Sequence, residues 1–287
     1  MRTWRQLFPG RERASQMPRI GLALGGGFAR GIANIGVLEV LEEERIPIHL
    51  IAGTSSGSII AAAYASGVST QELTEAASRL RLRHVGRWSP SLLGFASNLR
   101  MEGFLRGLLR ATDFAAMRIP LLIPATDFAS GAVKIFHEGS VLEAVRASCA
   151  YPLVYQPVQL GEHYYLDGGL VCAVPARPLR AAGATRVIGV ELLSHWQSGP
   201  PHNFMQVLGQ AFSVAIMQGA ETWRSSTDVL LQPNLEGIAY DAFDRCHDLI
   251  RLGRAAAQLA LPQLRPWRGS APPLPHRRPL APPAIVD

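Results

Sequence analysis

Two short apolar runs, each ending in a glycine turn and each followed by a helical pattern, occupy the stretch from Ile20 to Gly57. The first run, Ile20 to Leu24, stops at Gly25, Gly26 and Gly27. Apolar residues then recur at helical spacing at Ile32, Ile35, Leu38 and Leu41, which predicts a helix from about Gly31 to Glu44. The second run, Ile48 to Ala52, stops at Gly53-Thr54-Ser55-Ser56-Gly57 and leads into an apolar helix from Ser58 to Ala65, ended by Gly67. A strand, a glycine turn and a helix, repeated twice, leave few folds open. The strands must lie in one sheet with their helices on its faces. Downstream, the pattern continues with strands at Leu121–Ala125, Val133–Phe136 and Val187–Leu192, and a short helix at Val141–Ala147. Long helical segments follow at Phe204–Trp223 and Tyr240–Leu259, with Val229–Leu231 between them. The expected fold class is α/β, with a mainly parallel central sheet and helices on both faces.

The second turn carries the sharper chemistry. G-x-S-x-G between a strand and a helix is a nucleophile-elbow pattern. Gly53 and Gly57 are small enough to flank the tight turn, and Ser55 would stand exposed near the positive end of the next helix. A serine hydroxyl needs a positioned base and donors aimed at the developing oxyanion. The Gly25–Gly27 loop can supply such donors, because glycine lets the backbone approach a substrate closely. The bland reading is a glycine-rich turn with an N-capping serine. The candidate base is Asp167, at the end of Tyr164-Tyr165-Leu166 and before Gly168-Gly169, which permit a sharp turn. Taken alone, it also reads as a turn aspartate.

The three motifs in order, Gly25-Gly26-Gly27-Phe28-Ala29-Arg30-Gly31, then Gly53-Thr54-Ser55-Ser56-Gly57-Ser58, then Asp167-Gly168-Gly169, resemble the patatin-like phospholipase family. The nearest flavour is the bacterial branch similar to the neuropathy-target-esterase catalytic domain. The resemblance spans about Arg19 to Leu192 and includes the segment Arg146 to Pro152 and Pro157-Val158. It implies a three-layer α/β/α fold and a Ser–Asp dyad without histidine. Ser55 is then the nucleophile, Asp167 the base, and the amides of Gly26, Gly27 and Phe28 the oxyanion hole. Gly25, Arg30, Gly31, Gly53, Gly57, Gly168 and Gly169 are implied as supports. The resemblance gives Arg30 the task of ordering the glycine loop; the alternative is a surface arginine. It implies no metal or organic cofactor and a lipid ester as substrate. Two departures stand out. Phe28 occupies a position where many relatives have a fourth glycine, and Cys172-Ala173 stands before Val174-Pro175 where relatives usually carry two asparagines.

Other readings compete. A Ser-His-Asp hydrolase would draw its base from His195, His202 or His247. A dinucleotide site would want an acidic residue ending the second strand, where Gly53-Thr54-Ser55 stands instead. A non-catalytic lipid-binding module would keep the fold without the chemistry.

Composition bounds the rest. The chain has 287 residues, 48% hydrophobic and only 17% charged, which excludes a disordered chain. Its net charge is +6, and Lys134 is the only lysine. A basic balance permits contact with anionic membrane or nucleic acid, and no nucleic-acid motif is present. Cys149, Cys172 and Cys246 show no ligand spacing and read as free thiols in a reducing, cytoplasmic setting, with peripheral membrane contact allowed. No run of about 18 apolar residues occurs, and the N-terminus lacks a signal-peptide core. Three regions are expected: a basic, loosely ordered leader at 1–18, open to a role as a membrane arm; a catalytic domain at 19–262; and a disordered Pro/Arg-rich tail at 263–287. Residues 79–110 interleave arginines with large apolar residues. They are expected to form two amphipathic helices and a loop, able to act as a lipid-touching cap over the site. Oligomeric state is left open.

Overall fold

The computed structural model describes residues 18–80, 87–91, 94–193, 200 and 204–269. The expected leader falls almost wholly outside this range, as do His195, His202 and the last 18 residues of the tail, 270–287.

Strands β1 (Ile20–Leu24), β2 (Leu50–Gly53), β5 (Leu121–Asp127), β9 (Arg186–Val190) and β10 (Val229–Leu231) form a parallel sheet in the order β10-β9-β1-β2-β5. At the β5 edge the sheet turns antiparallel. There β6 (Val133–Phe136) pairs with β5, and the hairpin of β7 (Val158–Leu160) and β8 (His163–Leu166) joins through β8. The sheet is therefore mixed and mostly parallel.

Both side-chain parities of the central strands are apolar, and that dictates the layering. Ile20, Leu22 and Leu24 of β1, Ile51 of β2 and Ile188 and Val190 of β9 enter one core. Ala23, Leu50, Ala52 and Val187, one residue out of phase, enter a second. A strand with two apolar faces needs cover on both. The first face packs against α1 (Ala33–Glu43), α2 (Ser56–Ser66), α3 (Thr70–Arg79), α4 (Leu99–Leu108), α5 (Val141–Ser148) and α9 (Cys246–Leu259). The second packs against α6 (Ala176–Ala181) and α8 (Glu221–Arg224). Helix α7 (Phe204–Gln218) lies over the carboxyl end of the sheet, where Phe212 and Ile216 meet Ala173 and Tyr240.

Several boundaries differ from the sequence reading. The first helix begins as a 3-10 turn, Phe28–Ile32. The segment Phe204–Trp223 breaks at Gly219, and the last long helix starts only at Cys246, after a 3-10 turn at Phe243–Arg245. Among the described residues of 79–110, one helix lies wholly within the segment, α4. Ahead of it lies a hairpin of β3 (Arg87–Ser91) and β4 (Gly94–Ser97). Long-range pairing decided this: Ala96 N–H donates to Val154 O, and Gln156 N–H donates to Ala96 O, each at 2.9 Å. Residues 81–86, 92 and 93 lie outside the described range. The C-terminal boundary also moves. Helix α10 (Leu261–Leu264) and a 3-10 turn at Arg265–Trp267 extend past residue 262, because Leu264 is fully buried and Arg268 reaches Glu44.

Candidate active site

The register of the two central strands builds the site. Leu24 lies opposite Gly53, so the glycine loop and the serine turn leave the sheet at the same level. Thr54 N–H donates to Leu24 O at 3.0 Å and ties them together. The turn is sharp: a Cβ on Gly53 would sit 2.3 Å from Gly57 O, and one on Gly57 2.4 Å from Leu24 O. Ser55 holds φ +53°, a left-handed backbone rarely adopted by residues with side chains. Neighbours fix this strained turn from both sides. Ser55 N–H donates to Ser148 Oγ at 2.9 Å, and Ser58 Oγ–H donates to Ser55 O at 2.6 Å.

Asp167 arrives from β8 on the far side of the sheet and meets Ser55 directly. Ser55 Oγ–H donates to Asp167 Oδ2 at 2.7 Å. Gly169 N–H donates to Asp167 Oδ1 at 2.7 Å, so each carboxylate oxygen has a donor. The backbone is pinned as well: Asp167 N–H donates to Ala150 O, and Thr126 Oγ1–H donates to Asp167 O. Asp167 is 1% exposed. Burial disfavours its charge and raises its pKa to about 7, while the bonds from Ser55 and Gly169 oppose the rise.

The glycine loop faces this pair. A Cβ on Gly26 would fall 2.7 Å from Ser55 Cβ, so the loop backbone lies against the nucleophile. Gly25 N–H donates to Val190 O, and Asn34 Nδ2–H donates to Gly25 O. Gly27 N–H donates to Ser56 Oγ at 3.1 Å, whereas among the described residues the Gly26 and Phe28 amides have no acceptor. Phe28 holds φ +53°, which accounts for a glycine being suited to that position. Its ring packs edge-on to Tyr151 at 4.7 Å.

Arg30 is not a surface residue. It is 1% exposed, its Nε–H and Nη2–H donate to Ile238 O at 3.1 and 2.7 Å, and its guanidinium lies 3.9 Å over the Tyr240 ring. Gly31 sits against Ser56, and Gly168 against Pro124 O.

Two clefts meet at Ser55. One contains Asp167 and is bounded by Phe28, Tyr151, Phe212, Ser213 and Tyr240. The other is lined by apolar side chains, among them Ile32, Ile59, Leu73, Met101, Phe104 and Leu108. Among the described residues no histidine lines either cleft, and His247 is exposed on α9. No group of three or more His, Cys, Asp or Glu side chains suited to a metal occurs among the described residues, nor any helix long and apolar enough to cross a membrane.

A profile of the family described as patatin-like phospholipase matches residues 22–180, more than half of the chain. The chain belongs to the patatin-like phospholipase family. Its similarities run through that family. An NTE family protein of Mycobacterium tuberculosis is 34% identical over 185 residues, covering 63% of this chain and 51% of that protein. Lysophospholipase NTE1 of Cryptococcus neoformans is 31% identical over 188 residues, covering 63% of this chain and 12% of that protein. The chain thus spans about half the length of that mycobacterial relative and far less of the fungal one. Among solved structures, VipD from Legionella pneumophila superposes with a TM-score of 0.59 at 11% identity, covering 88% of this chain and 68% of that one. The type III effector ExoU superposes with a TM-score of 0.52 at 17% identity, covering 86% and 53%. Both likenesses concern the fold.

Within this patatin-like domain Ser55, Asp167 and the glycine loop lie side by side, and the Gly27 amide is bonded to Ser56 Oγ. At the Cys172-Ala173 departure, Thr54 Oγ1–H donates to the backbone carbonyl of Cys172 at 2.8 Å. Sequence reading missed Ser56, Ser148 and Tyr240. The first two lay within motifs already singled out, at positions with no distinguishing pattern. Tyr240 contacts Arg30 from 210 residues away, and no local signal marks it.

Proposed function

We propose that this chain is a serine acyl hydrolase that cleaves carboxylic esters of lipids. The observation that carries the reading is the 2.7 Å Ser55–Asp167 hydrogen bond at the junction of an apolar and a mixed cleft. Asp167, with its pKa near neutrality, takes the proton of Ser55 as Oγ attacks the ester carbonyl. The amides of Gly26 and Phe28 hold the oxyanion, and Gly27, bonded to Ser56, fixes the loop that presents them. Asp167 then gives its proton to the leaving alcohol, and the acyl-serine remains. A water molecule, deprotonated by Asp167, attacks that ester; the fatty acid leaves and Ser55 regains its proton. The apolar cleft suits the acyl chain, and the cleft holding Asp167, Ser213 and Tyr240 suits the alcohol. The relatives' name, lysophospholipase, points to phospholipid-derived esters as the first substrates to try.

Incubating the wild type and Ser55→Ala with a panel of lipid esters tests this. A fluorophosphonate should label the wild type at Ser55 alone and block hydrolysis. Labelling that persists in Ser55→Ala removes Ser55 from the mechanism.

A further inference from the structure

The cleft that contains Asp167 is walled largely by apolar groups, yet a pair of hydroxyls stands in its lining. Ser213 of α7 and Tyr240 both border it. Their oxygens lie 2.7 Å apart, and the two residues are only 1% and 9% exposed. Three contacts fix the pair. The Arg30 guanidinium lies 3.9 Å over the Tyr240 ring. Gly209, one turn before Ser213, lets α7 approach that ring, since a Cβ there would sit 3.0 Å from Tyr240 Cδ2. Tyr151 O–H donates to Leu208 O at 3.4 Å and holds the same turn. Two hydroxyls bring two hydrogens, and the bond between them uses one. Among the described residues, neither hydroxyl meets another acceptor. A buried O–H left without an acceptor is unfavourable, so a ligand oxygen that accepts it is held preferentially. The charge of the cleft selects which oxygen. Among the described residues that line it there is no Arg, Lys or His, and Asp167 adds a carboxylate. A buried anion such as a phosphate is disfavoured there without a cation to pair it, whereas a neutral hydroxyl is not.

We propose that Ser213 and Tyr240 recognise a free, neutral hydroxyl on the leaving alcohol, so that esters of polyols are preferred over esters of plain alkanols. The proposal rests on the serine-hydrolase reading above, which assigns the alcohol to this cleft. A few fixed polar groups in an apolar cleft set orientation and specificity. The pair donates one hydrogen and can accept another, which matches a hydroxyl, itself both donor and acceptor. A site built around such a bond discriminates against an analogue that lacks the hydroxyl, because the buried pair is then left unmatched. Both residues lie beyond residue 180, where the family match ends, so the family motifs do not specify this preference.

The test compares three soluble esters of one acid on the full chain. They are glyceryl monobutyrate; propyl butyrate, with the same carbon skeleton and no hydroxyl; and 3-phosphooxypropyl butyrate, which carries an anion instead. The variants are Tyr240→Phe, Ser213→Ala and the double variant. The readout is the ratio of kcat/KM between two esters, divided by their ratio in alkaline hydrolysis. It cancels both intrinsic reactivity and any loss of active protein. Wild type should favour the glyceryl ester over the propyl ester by about tenfold or more, the worth of one hydrogen bond. Each single variant should lower that preference, and the double variant should bring it within about twofold of unity. Tyr240→Phe keeps the ring against Arg30, so a merely structural role for the hydroxyl would leave the ratio unmoved. A wild type without the preference overturns the proposal, as does a double variant that retains it. If the phosphorylated ester, and not the glyceryl one, loses an advantage in the double variant, the pair binds an anion and the hydroxyl assignment falls. Ligand-observed NMR on Ser55→Ala ranks the same esters by affinity without turnover. Should the wild type hydrolyse none of the three, the hydrolase reading fails for them and this ranking decides alone. Tighter binding of the glyceryl ester that disappears on adding the double substitution upholds the pair, and equal affinities overturn it.

Discussion

Ser55 is held by three neighbours at three different atoms: Ser148 at its N–H, Ser58 at its carbonyl and Asp167 at its hydroxyl. This arrangement makes the proposed dyad testable residue by residue. Asp167→Asn removes the proposed proton acceptor while keeping the shape, and the hydrolysis rate should fall by about 10²–10⁴-fold. His195→Ala, His202→Ala and His247→Ala, made singly and checked by circular dichroism, should each stay within several-fold of wild type. One well-folded but inactive histidine variant would replace the dyad with a triad. The raised pKa of Asp167 gives a second expectation. Its carboxylate must be ionised to accept a proton, so kcat/KM on a neutral ester should rise with pH and level off above about 7. Stability should move the opposite way. The folded pKa lies above the unfolded one, so the native state prefers protonated Asp167; that contribution is full below about pH 4 and is lost as pH climbs through about 7. Asp167→Asn, which never ionises, should therefore gain on wild type between pH 5 and pH 8 in urea denaturation, by on the order of a few kcal/mol. A flat difference across that range would mean that Asp167 is not buried as a charge.

Among the elements, α1 and α9 cross with their backbones close together. A Cβ on Gly253 would sit 1.9 Å from Ala33 O, and one on Gly36 would sit 1.9 Å from Ile250 O. Arg254 bonds Glu39 and Glu43 across the same crossing at 2.9 Å. Gly253→Ala should force the helices apart and destabilise the protein by about 1–3 kcal/mol or more. Gly103, inside α4, has nothing within 4 Å of its would-be Cβ. Gly103→Ala should therefore stabilise the protein by about 0.5–1 kcal/mol through helix propensity. The two substitutions are chemically identical, so opposite signs in the same denaturation assay would isolate the effect of packing. Helix α3 is a case the sequence states in full: Ser69-Thr70-Gln71-Glu72 fits the S-x-x-E pattern, and Ser69 and Glu72 form that capping box. The β3–β4 hairpin is the reverse case: it falls where Ser89-Pro90 and Gly94 interrupt the arginine-rich segment, and its partner lies at Val154–Gln156, far along the chain.

At the scale of the whole molecule, the family match ends at residue 180, yet the sheet does not. Strand β1 lies between β2 and β9, and β9 pairs with β10. A chain cut after residue 185 would leave β1 as an open, two-faced apolar edge and would be expected to aggregate. A chain ending at residue 262 should fold but be less stable than one ending at 269, because it loses the buried Leu264 and the link from Arg268 to Glu44. Deleting one buried leucine typically costs about 2–5 kcal/mol, and a thermal melt of the two truncations would show the difference. Equal melting temperatures would restore the shorter boundary.

The sequence by itself determined what is local. Apolar period, glycine turns and caps are steric and short-range, so β1, β2, the serine elbow at Ser55 and the mostly parallel sheet could be read from neighbours a few residues apart. The order of three motifs also picked out Asp167. Tertiary structure alone decided what depends on distant chain. It brought Asp167 within 2.7 Å of a serine 112 residues away and buried it until its charge became unfavourable. It set Arg30 against Ile238 and Tyr240, engaged the Gly27 amide with Ser56, and paired β3 with β4 in a hairpin. Desolvation and long-range hydrogen bonding are sums over everything that surrounds a group in space, and no window of sequence contains those surroundings.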